Sequence, residues 1–152
     1  AYANMHHLLL THGQAWRMAP VFVQGRPSIL LSTLDASGHI FGPMIVANLF
    51  RSEGWNVSHN ILGQTDLLLD AVASRRFDVV GLSVGTDHEL LSVITLCAEV
   101  RRASLNPGVR LVAGGTVFAQ GHAYPFLDVD FVAPSAGDAL AWCRGHVSSH
   151  RT

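Results

Sequence analysis

From Ser28 onward, short apolar runs rich in β-branched residues alternate with longer stretches whose apolar residues recur every three or four positions. Ser28-Ile29-Leu30-Leu31-Ser32 reads as a buried strand, followed by a glycine-bearing loop from Leu34 to Gly42. Pro43–Glu53 is predicted as a helix with Ile45, Val46, Leu49 and Phe50 on one face and Gly54 as its stop. Trp55–Leu62 reads as a second strand, and Gln64–Arg76 as a second helix carrying Leu67, Leu68, Ala71 and Val72. Phe77–Ser83 has almost no polar interruption, the pattern of a strand covered on both faces. His88–Ser104 is the next helix, and Asn106-Pro107-Gly108 a turn by composition. Arg110–Ala113 is a fourth strand ending at Gly114-Gly115, with a short helix expected over Val117–His122. Asp130–Ala133 completes the strands, and Gly137–His146 is a closing helix.

Strand followed by helix, five times over, predicts an α/β fold. Its expected architecture is a doubly wound, flavodoxin-like (Rossmann-like) five-stranded parallel sheet with helices on both faces. Right-handed crossovers bring the loops after each strand to the carboxyl edge of the sheet, where ligands bind in such folds. The repeating pattern spans residues 28–147. Before it, residues 1–27 are expected to form a helix from Met5 to Met18 and an extended arm from Pro20 to Pro27; residues 148–152 form a tail. A start at Ala1 rather than Met is expected of a trimmed segment with further sequence upstream.

Composition narrows the function classes. The 152 residues are 49% hydrophobic and 14% charged, which favours a packed core over disorder. The formal net charge of −1 gives no bulk attraction for a polyanion, so direct nucleic-acid binding is not expected. All ten basic residues are arginine, which decides nothing about function. Cys97 and Cys143 lie in helical patterns without a CxxC companion and read as buried thiols of a cytoplasmic protein. No apolar run reaches the roughly 18 residues of a membrane span.

Three loops on the carboxyl edge hold the candidate chemistry. Ser37-Gly38-His39-Ile40-Phe41-Gly42 follows the first strand, Ser83-Val84-Gly85-Thr86 closes the third, and Gly114-Gly115-Thr116 closes the fourth. Gly38 and Gly42 free the backbone for close approach to a bulky group. His39, with Ile40 and Phe41 after it, suits axial ligation of a metal by a neutral imidazole, whereas a solvated loop histidine is the alternative for that position taken alone. Small residues at Ser83, Gly114 and Gly115 would leave a slot between sheet and helices for a flat apolar group, although glycines also simply make βα turns. Leucine at either Gly114 or Gly115 is therefore expected to close the slot while the fold survives. His6, His7 and His12 read as solvated, with the alternative that one caps a cofactor from above. His59, His88, His122 and His150 have no ligand spacing, and His88 is placed at the pocket rim. His146 lies where a helix dipole favours a cation.

Taken together and in this order, these residues resemble the cobalamin-binding domain family, whose pattern is Asp-x-His-x-x-Gly, then Ser-x-Leu, then Gly-Gly. The match runs from about Ser28 to Trp142. His39 and Gly42 fit the first motif, Ser83 the second, and Gly114 with Gly115 the third. The resemblance implies cobalamin as cofactor, with His39 beneath cobalt and the cofactor's base tail in the slot. Ser37 stands where the family has its acid, although Asp35 is close by, and Gly85 stands where it has leucine. The missing acid argues against fine control of cobalt ligation through a catalytic cycle and leaves binding intact.

Enzymes of the family carry aspartate directly after the histidine, whereas Ile40-Phe41 is apolar. In this, and in Gly114-Gly115-Thr116-Val117-Phe118-Ala119 and Asp138-Ala139-Leu140-Ala141-Trp142, the chain is similar to the family's regulatory branch. That branch includes antirepressors of photosynthesis genes and sensors containing heme instead of cobalamin. The resemblance thus implies a non-catalytic module, with light or cofactor state as the stimulus, signalling to a transcription regulator or other signalling protein. Heme on the same fold is the first alternative. A corrinoid-carrier domain of a methyltransferase is the second, set back because 27 residues are too few for the helical bundle that usually precedes such a domain. The absence of lysine sets aside a receiver domain, and the absence of GxGxxG after the first strand sets aside a dinucleotide site.

Overall fold

The computed structural model describes residues 22–34, 41–60, 65–118 and 124–147. Five strands form one wholly parallel sheet: β1 (Ser28–Thr33), β2 (Asn56–Asn60), β3 (Val79–Ser83), β4 (Arg110–Gly114) and β5 (Phe131–Val132). Their order is β2-β1-β3-β4-β5, the flavodoxin-like arrangement, whose direction of winding reverses between β1 and β3. The helices are α1 (Phe41–Ser52), α2 (Thr65–Ser74), α3 (Asp87–Ala103) and α4 (Ala136–His146).

Alternation along the strands divides the core. Leu30, Val80, Leu82, Leu111 and Ala113 face α2 and α3, meeting Leu68, Val72, Val93, Leu96 and Val100. Ile29, Leu31, Val79 and Val112 face α1 and α4, meeting Ala47, Phe50, Leu140 and Cys143. Burial on both faces explains why β1 and β3 read as unbroken apolar runs. Helix ends are set locally. Gly54 takes φ +87° just after α1, a left-handed conformation that suits glycine. Ser135 caps α4, accepting the Asp138 N–H at 3.1 Å while its hydroxyl donates to the Asp138 carboxylate at 2.8 Å.

Several expectations need correction. Ile45 is 64% exposed, and Ala47 takes its place beside Phe50 on the inner face of α1. Leu67 is likewise 37% exposed at the start of α2, leaving Leu68 and Val72 as that helix's buried residues. Of the short helix expected over Val117–His122, Thr116–Phe118 forms a 3-10 turn, and residues 119–123 lie outside the described residues. The expected Met5–Met18 helix and the 148–152 tail also lie outside it. Of the arm, Val23 is tied to the sheet edge: its N–H donates to Asn56 Oδ1 at 2.9 Å and its carbonyl accepts from Asn56 Nδ2 at 2.8 Å.

The turn before β4 stands on one buried amide. Asn106 donates from Nδ2 to the Phe77 carbonyl at 2.9 Å and accepts the Gly108 N–H at 3.0 Å. Asn106→Ala strands both backbone groups. It is expected to lower unfolding free energy by roughly 1–3 kcal/mol, read from the midpoint of urea denaturation at unchanged m-value.

Candidate cofactor-binding site

The site begins with one rung of the sheet. Thr33, Ser83 and Gly114 stand in register at the carboxyl ends of β1, β3 and β4, so the serine and the first glycine of the pattern are cross-strand neighbours. Beneath them, Leu31, Gly81 and Val112 form the next rung on the same face. Gly81 leaves the middle of that rung without a side chain; a Cβ there would come 2.7 Å from Leu31 Cδ2.

Above this rung the chain must turn out of β3 and β4 at very close range. The Val84 N–H donates to the Gly114 carbonyl at 2.8 Å, and the Leu34 N–H to the Ser83 carbonyl at 3.2 Å. Gly115 then takes φ +121°, and a Cβ on it would fall 2.2 Å from the Val84 carbonyl oxygen. Only glycine fits there. The second loop is braced from both sides: the Gly85 N–H donates to Glu89 Oε2 at 2.8 Å, and Thr116 Oγ1 donates to the Gly85 carbonyl at 3.0 Å.

Below the rung, between the sheet and helices α1 and α4, lies a cavity of about 370 Å³. Gly42, Ser83, Gly114, Gly115 and Thr116, all named from the sequence, line it. Val84, Gly85 and Thr86 do not; Val84 is fully buried behind Gly115, Gly85 belongs to the brace, and Thr86 is the exposed residue before α3, its carbonyl accepting the Glu89 N–H at 3.2 Å. His88 is exposed at the start of α3 and lies outside the lining. Ser37, Gly38, His39 and Ile40 lie outside the described residues, and Phe41 opens α1.

Sequence reasoning missed the wall on α4, formed by Ala136, Ala139 and Cys143, and the floor at Ile29, Val112 and Phe50. The only sequence signal for that wall is the run of small residues one helical turn apart, a spacing that core packing also produces. Ile45, exposed yet in the lining, sits at the mouth. No charged side chain lines the cavity among the described residues. Burial pushes the Cys143 thiol up to about 12, so it stays neutral. Nor do three His, Cys, Asp or Glu side chains converge as a metal cluster among the described residues. The space thus suits a flat, uncharged heterocycle. Its volume is near the low end of the roughly 300–1,000 Å³ of small-molecule sites, so a macrocycle would rest outside.

Residues 27–141 match the family model described as B12 binding domain. Among solved structures, a cobalamin-binding protein from Desulfitobacterium hafniense is similar over 81% of this chain and 60% of its own, at 21% identity and TM-score 0.69. The monomethylamine corrinoid protein of Methanosarcina barkeri is similar over 96% of this chain and 67% of its own, at 12% identity and TM-score 0.66. A signal receiver domain from Pseudomonas fluorescens follows at 17% identity, 82% and 89% coverage, and TM-score 0.51. At such identities these neighbours establish the fold. Comparison with curated proteins gave no match.

The two glycines differ in the room around them, which revises the expectation that leucine at either one merely closes the slot. A Cβ on Gly114 meets only ordinary contacts, the nearest being the Ala133 carbonyl oxygen at 3.5 Å. Gly114→Leu is expected to keep near-parental stability and fill the cavity. Gly115→Ala is expected to destabilise the ligand-free protein by at least about 1–3 kcal/mol through its φ and the Val84 contact. Chemical denaturation of both variants checks the contrast.

Proposed function

The chain belongs to the B12 binding domain family, and from that premise we propose that it is a regulatory module that holds cobalamin and signals its state to a partner protein. Cobalamin is its cofactor. In this reading His39 ligates cobalt from below through a neutral imidazole, and the nucleotide tail enters the slot beside Ser83, Gly114, Gly115 and Thr116. The carrying observation is the uncharged cavity opening at the Ser83–Gly114 rung, which fits a flat base and leaves the macrocycle over the sheet edge.

When bound, the cofactor supplies a metal whose axial ligation and oxidation state can change, by light or by redox chemistry. The chain's residues do the rest. Gly115 holds the mouth open by lacking a side chain. In sequence His39 stands two residues before α1, whose Ile45 is exposed beside the mouth. A shift at His39 would therefore reach a surface that a transcription regulator or other signalling protein can touch. The apolar Ile40-Phe41 pair and Ser37, where family enzymes carry acids, support a non-catalytic role. No helix among the described residues is long and apolar enough to cross a membrane.

A corrinoid carrier for methyl transfer is the second reading, favoured by the likeness to the Methanosarcina barkeri monomethylamine corrinoid protein across 96% of this chain. In the carrier, loaded and reduced protein would take up a methyl group from a methylated donor when a methyltransferase is present; in the regulatory reading, the loaded protein would change its protection over α1 on illumination with no methyl donor present.

Absorption spectra of the purified chain with hydroxocobalamin, adenosylcobalamin and hemin test the proposal. The parent is expected to bind cobalamin, and His39→Ala to shift the bound spectrum toward a water-ligated form and weaken affinity. Acid is expected to release the imidazole, because a protonated ring cannot coordinate metal. A spectrum unchanged in His39→Ala removes His39 as ligand. Absence of cobalamin binding with a strong Soret band on hemin addition would transfer the site to heme.

A further inference from the structure

Helix α3 carries apolar residues on two faces. Leu90, Val93, Leu96, Cys97 and Val100 are buried in the core shared with the sheet and α2. Leu91 and Ile94 lie outside that stripe and are 70% and 40% exposed. With Asp87, Ala98 and Arg102, all exposed, they recur every three or four residues and form a second stripe along the outer side of the helix. An acid opens this stripe, carbon fills its middle and a guanidinium closes it, over about 22 Å at ~1.5 Å per residue. Among the described residues neither Asp87 nor Arg102 has an ion-pair partner; the neighbouring Arg101 is the one that holds Asp128 and Asp130. A lone exposed apolar residue is ordinary, but three in line between an uncompensated acid and an uncompensated base are not.

Reversed end to end, the stripe matches itself. About a midpoint between Ile94 and Thr95, Asp87 falls opposite Arg102, Leu91 opposite Ala98, and Ile94 opposite Thr95. Each acid then meets a base, and a bulky side chain meets a small one. A two-fold axis produces that reversal between identical chains. We infer that α3 is the contact of a homodimer, packed antiparallel on α3 of a second copy, with Asp87–Arg102 ion pairs at both ends. A parallel pairing is set aside because it would oppose Asp87 to Asp87 and Arg102 to Arg102. The self-match favours a second copy over an unlike partner, which needs no such symmetry. A single helix stripe falls short of the roughly 800 Å² per partner of standard interfaces, so the association is weak and depends on concentration. Since α3 covers the sheet face opposite the cavity, pairing leaves the slot open and does not depend on what enters it.

Sedimentation velocity of the full chain, from micromolar to millimolar concentration, tests this. The parent is expected to pass from monomer to dimer as concentration rises. Asp87→Arg and Arg102→Asp each place like charges at both ends of the pair and are expected to weaken dimerisation roughly 10-fold. An equimolar mixture of these two variants is expected to recover it, because each end of the mixed dimer again joins Arg to Asp. Ile94→Asp sets two acids beside the axis and is expected to leave only monomer. All three positions are exposed, so the circular dichroism of each variant is expected to match the parent's. A parent that stays monomeric throughout overturns the inference and leaves the face to an unlike partner or to another segment of this chain. A dimer that none of the three substitutions weakens lies elsewhere on the surface and overturns it too. So does a mixture that associates no better than its two components.

Discussion

The approach of Gly115 to Val84 sets the geometry on which the site depends. At 2.2 Å from a carbonyl oxygen no Cβ can exist, so the chain leaves β4 bare and pressed against the end of β3. That closeness lets the Val84 N–H reach the Gly114 carbonyl and puts Ser83 beside Gly114 in the last rung. It also sends the chain away from the α1/α4 face, leaving the space above Val112 unfilled. A larger residue would push β3 and β4 apart at the edge where the fold binds its ligand.

The rest of the domain supports that edge. Two apolar layers, one on each face, hold the sheet, and α1 and α4 meet it firmly only in their later turns, through Phe50, Leu140 and Cys143. Their first turns stand off, with small residues Gly42, Ala136 and Ala139 toward the cavity. A ready-made apolar space lowers the cost of binding, because little has to be reordered when a flat group enters. The edge strand β5 is only two residues long, and a column of rings buttresses it: Phe131 stacks on Trp142 at 5.3 Å, and Trp142 on His146 at 4.1 Å.

The five alternating strands and helices, and the placing of Ser83 and Gly114 at the ends of the third and fourth strands, were legible because both follow from period and from glycine placement, which sterics make strict. Ile45 misled for a physical reason. Helical periodicity places it with Val46, Leu49 and Phe50, but the helix cannot close on the sheet where the slot stands, so Ile45 stays at the mouth. The α4 wall was illegible because Ala136, Ala139 and Cys143 suit an ordinary packed helix equally well. Gly81 carried a hint: glycine inside a buried strand signals close approach or a gap. Sequence pattern alone gave it no ligand, and the register with Leu31 and Val112 supplies that meaning.

The central claim is that the base tail of cobalamin occupies the space between the sheet and α1/α4. Methyl-resolved NMR of the ligand-free chain and of the chain saturated with hydroxocobalamin tests it most directly. The account predicts large shifts at the methyls of Ile29, Ile45, Val46 and Val112, which line the slot, and little change at Val72, Val93 and Val100, buried on the other face. Bound cobalamin with the Ile29 and Val112 methyls unmoved would contradict it.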